Sequence, residues 1–141
     1  MVRVNLIHPK RLSDQHLIAE YLEILMLIGY VKKNKILEEV PKTYRLGTGH
    51  IKFFKDKLLY LKKRHEELKK EMKKRGFVTR KTICLKEFGN KFCKDWKPRE
   101  KDFKIIEKRI SEKIAKKPEW YRYYGQNKDK KFWNDLIQCR R

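Results

Sequence analysis

LGTGHIKFFKDKLLYLKKRHEELKKEMKKRGF, residues 46–77, decides the fold of this chain. Phe54, Leu58, Leu61, His65, Leu68 and Met72 recur every three or four residues, which places them on one stripe of an α-helix. Gly76 follows as the residue type that ends helices in a left-handed conformation. The stripe covers barely three heptads, so it reads as a core face and not as a coiled-coil seam. His65 lies on it and is expected to be a hydrogen-bonded core or boundary histidine. The other faces carry Lys62, Lys63, Arg64, Lys69, Lys70, Lys73 and Lys74, offset only in part by Glu66, Glu67 and Glu71. Such a charge run reads first as a solvated helix surface.

Two further helices flank this one. Ser13 is a good N-cap and Asp14 adds a favourable negative charge to a first turn. From Asp14 to about Ile28 the residues Leu17, Tyr21, Ile24 and Ile28 form an apolar stripe, widened by Ile18, Leu22 and Leu25, and Gly29 is expected to end it. His16, Ala19, Glu20, Glu23 and Met26 fall on or beside the opposite face, so spacing puts Glu23 at the edge of the core. The opening segment to Leu12 reads as extended, with Pro9 opposing a helix. KKNKILEEVPK (32–42) reads as a basic connector, and residues 77–98 as mostly irregular. A third helix is expected from about Glu100 to Lys116, with Phe103, Ile106, Ile110 and Ile114 inward and Pro118 just past its end. PEWYRYYG (118–125) packs four aromatics into five positions, which suits either a core plug or a nucleic-acid contact. The tail QNKDKKFWNDLIQCRR (126–141) is basic, with a short appended helix around Phe132, Trp133, Leu136 and Ile137.

The chain has 141 residues, one domain's worth, and its 40% apolar content can build a core. Lysine and arginine number 39 against 18 acids, a formal net charge of +21, so the expected partner is a polyanion. The basic residues ring the long helix instead of facing an apolar side, which disfavours a membrane surface. There is no apolar run long enough to span a bilayer and no signal-peptide pattern, so the expected location is intracellular. Cys84, Cys93 and Cys139 form no C-x-x-C pair, and His8, His16, His50 and His65 are scattered, so no metal site and no cofactor are expected. Walker and dinucleotide-binding glycine patterns are missing, as are internal repeats.

Five collinear stretches, RVNL (3–6), DQHLIAEYLE (14–23), LGTGHIKFFKDKL (46–58), KRGF (74–77) and RISEKIAKKPEWYRYYG (109–125), resemble the pyrimidine-dimer DNA glycosylase/AP lyase family. The resemblance implies a compact all-α domain over residues 1–125, its N-terminal segment threaded between about three helices, with 126–141 as a basic extension. It implies an enzyme that removes a base at a cyclobutane pyrimidine dimer and nicks the abasic site by β-elimination through an imine. Its nucleophile would be the α-amine of Val2, exposed once Met1 is removed, and its catalytic carboxylate would be Glu23. Arg3 beside that amine would lower the amine's pKa through like-charge repulsion. Arg3, Gln15 and His16 match positions that contact DNA near the lesion, and Arg109 and Lys113 match basic residues that grip the backbone. The implied partner is double-stranded DNA carrying UV lesions or abasic sites, bound by a monomer.

The chain departs from the family pattern in places. Val2 stands where the family has threonine; valine is small enough for methionine removal, so the amine survives. Leu22 and Met26 replace two arginines that serve lesion binding. These departures leave the amine-plus-carboxylate chemistry intact and leave the lesion preference open. A glycosylase/lyase for another damaged base or for abasic sites, and a non-catalytic DNA-binding module on the same scaffold, are therefore carried beside the leading reading.

Overall fold

The computed structural model describes residues 3–37 and 39–138. Among these residues the chain is mainly helical: α1 (Asp14–Lys33), α2 (His50–Phe54), α3 (Leu58–Lys74), α4 (Glu100–Lys116) and α5 (Lys130–Gln138). The only sheet among them is a two-residue hairpin, β1 (Arg122–Tyr123) antiparallel to β2 (Gln126–Asn127). None of these helices is long and apolar enough to cross a membrane.

α1 starts as its sequence dictates. Ser13 Oγ accepts from His16 N at 3.0 Å, satisfying one of the orphan amides of the first turn. Asp14 does more than complement the helix dipole. Its carboxylate accepts from Tyr124 N (3.1 Å), Gly125 N (2.8 Å) and Arg75 (3.0 Å), tying the hairpin and the end of α3 to the start of α1. The helix does not stop at Gly29 but runs on to Lys33, because Leu27 and Val31 continue the buried stripe of Leu17, Tyr21 and Ile24. Leu22, expected to widen that stripe, is instead 52% exposed.

α1 packs against α3 along the stripe read from residues 54–72. Phe54, Leu58, Leu61, His65, Leu68 and Met72 are all buried, each apolar one contributing about 1.5–3 kcal/mol. His65 stacks on Tyr21 at 4.7 Å, with its Nε2 3.2 Å from Tyr21 O. The single long helix expected from 46 to 76 is broken at Lys55–Lys57, where Lys57 bridges Cys93, and Lys94 N donates to Asp56 O at 3.1 Å. The break turns backbone groups outward to pair with the 77–98 loop, which is otherwise irregular apart from a turn at residues 86–87 and a short 3-10 helix, Asn90–Phe92. Gly76, at φ +85°, closes α3, with Phe77 N donating to Met72 O at 2.9 Å.

Two charges assigned to solvated faces are buried. Glu20 is 0% exposed and Arg64 only 4%. They form a two-point pair at 2.6 and 2.9 Å, which satisfies the charges where periodicity alone predicts water. The same guanidinium donates to Leu6 O (3.1 Å) and Ile7 O (2.5 Å). The N-terminal segment is thus threaded through the core, with Val4, Leu6, Ile7 and Leu12 buried and its backbone groups met by side chains. Leu6, at a positive φ of 62°, has its carbonyl held by this Arg64 hydrogen bond.

The C-terminal part is also packed. α4 begins with the Asp102 carboxylate accepting from Arg99 N at 2.8 Å and buries Ile106, Ile110 and Ile114. α5 lies against it through Trp133 and Ile137, each 1% exposed. Within residues 126–138, Trp133 and Ile137 therefore belong to the same core as the preceding helices.

Candidate active site

One cleft of about 220 Å³ collects side chains from four parts of the chain. The threaded segment supplies Arg3 and Asn5; α1 supplies His16, Ala19 and Glu23; α4 supplies Arg109, Ile110 and Lys113; and Tyr121 comes from the turn before β1. The α1 members are spaced by three and four residues and the two α4 cations by four, so each group shares one helix face. Packing of α1, α4 and the N-terminal segment then makes the faces converge.

The electrostatics are unusual for a carboxylate. Arg3 and Arg109 are near enough to pull Glu23 downward, yet its pKa is raised to about 7, because burial outweighs them and Glu20 adds like-charge repulsion. Glu23 therefore titrates near neutral pH. His16 is pushed down to about 4 by burial, then by Arg109 and Lys113, so it is a neutral imidazole at pH 7. Its ring stacks on Tyr121 at 4.9 Å and 7°, and its Nδ1 lies 2.8 Å from Ser13 Oγ. Trp120, 56% exposed, stands edge-on to Tyr121 at 5.0 Å. The arrangement offers phosphate-binding cations, one carboxylate able to hold or release a proton, and an aromatic surface against which a base can stack.

Of the residues singled out from sequence, Arg3, His16, Glu23, Arg109 and Lys113 line this cleft together. Gln15 does not. Its side chain donates to Trp120 O (2.7 Å) and accepts from Arg122 N (2.9 Å), bracketing Tyr121 and setting its orientation. Val2 lies outside the described residues. Sequence reasoning missed Asn5 and Ala19 and did not single out Tyr121. The aromatic cluster in PEWYRYYG was the available signal for Tyr121, but nothing in it distinguishes the tyrosine that reaches the cleft from its neighbours.

A sequence model of one family, described as pyrimidine dimer DNA glycosylase, matches residues 1–85. The match covers the threaded segment, α1, α2 and α3, and with them Arg3, His16 and Glu23. Arg109, Lys113 and Tyr121, which close the cleft from the other side, lie beyond it.

Proposed function

The chain belongs to the pyrimidine dimer DNA glycosylase family, and from that premise we propose that it removes the damaged base at cyclobutane pyrimidine dimers in duplex DNA and then nicks the abasic strand. The observation that carries this reading is Glu23, a carboxyl titrating at about 7 in a cleft that it shares with the cations Arg3, Arg109 and Lys113. A protein that only bound DNA would gain nothing from an anion there, since it opposes the phosphates.

The α-amine of Val2, freed by removal of Met1, is the proposed nucleophile. Covalent geometry keeps that nitrogen within about 5 Å of the Arg3 Cα, and Arg3 lines the cleft with Glu23. Arg3 and Arg109 favour the neutral, nucleophilic form of the amine by like-charge repulsion. Its lone pair attacks the sugar C1′, and the glycosidic electron pair leaves with the base, which takes up a proton. The nitrogen gives up a proton to O4′ as the C1′–O4′ bond breaks, opening the ring to an iminium. The Glu23 carboxylate stabilises the positive charge that builds on the sugar and then on the iminium. It next accepts a C2′ proton, and elimination expels the 3′ phosphate, cutting the strand. Arg109 and Lys113 hold backbone phosphates, and Arg3 and His16 face the reacting nucleotide.

A second reading, action on abasic sites and other damaged bases, is favoured by one observation. Leu22 and Met26, on the exposed face of α1 next to Glu23, are 52% and 47% exposed and cannot grip phosphate. A duplex with one thymine dimer tests the proposal: base release and strand nicking are expected from wild type, and neither from Glu23→Gln at unchanged duplex affinity. A Glu23→Gln variant that nicks at the wild-type rate would refute it.

A further inference from the structure

Residue 4 is held by two side chains that no step of the proposed chemistry uses. His50 Nε2 accepts from Val4 N at 2.9 Å, and Tyr44 Oη donates to Val4 O at 3.0 Å. Both groups of one residue's backbone are gripped, in a site where His50 is 1% and Tyr44 3% exposed. Because Val4 N–H is a donor, His50 Nε2 must be unprotonated. The proton sits on Nδ1, which donates to Arg45 O at 2.9 Å. Burial, with help from Arg3 and Arg109, lowers the His50 pKa to about 4 despite that carbonyl, so the acceptor survives through the neutral range. Burial likewise raises the Tyr44 pKa, keeping its phenol a donor. The rings are locked by packing: Tyr44 stands edge-on to His50 at 5.4 Å and lies parallel to Trp96 at 6.0 Å, and His50 stands edge-on to Phe54 at 5.3 Å.

The clamp sits where a chain end is hardest to fix. A terminal amine has covalent connection on one side only, and each residue left free multiplies the orientations it samples. We propose that Tyr44 and His50 are positioning residues for the nucleophile, clamping the backbone of Val4 so that the amine two residues upstream is aimed into the cleft at Glu23. The inference rests on the amine reading above. It explains why a buried neutral histidine at the start of α2 and a buried phenol from the stretch between α1 and α2 converge on the backbone of a threaded segment. Neither residue lines the cleft, so neither touches DNA in this scheme.

The test is the single-turnover rate of borohydride-trapped adduct on a duplex with one abasic site, measured beside affinity for the same duplex. His50→Phe keeps ring volume and removes the acceptor; Tyr44→Phe removes only the hydroxyl; His50→Gln offers an amide oxygen as replacement acceptor. A misplacement of about 1 Å costs on the order of 100-fold in rate. His50→Phe and Tyr44→Phe are therefore expected to slow adduct formation about tenfold or more with affinity nearly unchanged, and His50→Gln to recover most of the loss. Adduct at the wild-type rate in both phenylalanine variants, or affinity falling in step with rate, overturns the clamp while leaving the amine reading standing. Should His50→Phe fail to fold, Tyr44→Phe decides by the same criteria. A wild-type protein that forms no adduct at its N-terminus overturns the amine reading itself, and the clamp with it.

Discussion

Replacing Glu20 by glutamine tests the buried charge pair on which the threaded segment depends. The substitution preserves shape and removes one charge, so Arg64, 4% exposed, is left as an uncompensated buried cation. Breaking a buried pair in this way costs about 3–5 kcal/mol, a large part of the roughly 5–15 kcal/mol that holds a domain folded. With a urea m-value of about 2 kcal/mol per molar, the unfolding midpoint should fall by about 1.5–2.5 M. Replacing both partners with apolar residues is often neutral at buried pairs, but it should not be here. Arg64 also donates to Leu6 O and Ile7 O, and these carbonyls would lose their partner, at about 1–3 kcal/mol each. Glu20→Leu with Arg64→Met should therefore remain destabilised by about 2 kcal/mol or more. Urea denaturation of Glu20→Leu, Arg64→Met and the double variant completes the cycle. A Glu20→Gln cost below about 1 kcal/mol would place the pair among solvated surface bridges and refute the reasoning.

Other outcomes follow from the cleft and the tail. Glu23, at about 7, and the N-terminal amine, with a reference pKa of about 7.7–8.0, must both be deprotonated to act, so the logarithm of the single-turnover rate should rise with pH at a slope approaching two below pH 7. A raised carboxyl pKa favours the folded state fully below the unfolded value of 4.5 and loses that contribution as pH rises through about 7. Glu23→Gln should accordingly be more stable than wild type at pH 8 and no more stable at pH 4, by thermal melts at both. Trp133→Ala should cost about 3–5 kcal/mol, because the α5 indole is buried against α4. Neutralising the exposed Lys130 and Lys131 should leave the melt unchanged and flatten the log–log salt dependence of DNA binding by about 0.9 for each phosphate no longer neutralised. Leu22→Arg with Met26→Arg, at exposed positions of α1, should raise the ratio of dimer to undamaged-duplex affinity, each added phosphate hydrogen bond being worth about 1.5–3 kcal/mol. A fall in that ratio would mean that these side chains read the lesion by apolar contact.

What the sequence disclosed depended on how local the determining contact was. α4 was legible to the residue, because its stripe, first-turn acids and following proline all act within the helix. The burial of residues 54–72 was equally plain, but the break at Lys55–Lys57 was not, since apolar spacing runs unbroken across it and the cause is pairing with the distant 93–94 backbone. Glu20 and Arg64 read as surface charges because each is polar on its own helix; only their meeting across 44 residues makes burial tolerable. The extension of α1 past Gly29 was set by Val31 reaching the core, which outweighs the weak helix propensity of glycine. Within the cleft, Arg3, His16, Glu23, Arg109 and Lys113 came from resemblance to a family; spacing alone gave Glu23 only a place at the core's edge. Tyr44 and His50 carried no signal, since a hydrogen bond to the backbone leaves no pattern in side-chain identity.

The central claim, a nucleophilic N-terminal amine working with Glu23, is tested most directly by finding the trapped bond. Protein with Met1 removed is incubated with an abasic duplex and borohydride, digested, and the adduct is mapped by mass spectrometry. One adduct is expected, on the Val2 nitrogen. An adduct on a lysine, or efficient trapping by protein that retains Met1, would contradict the claim.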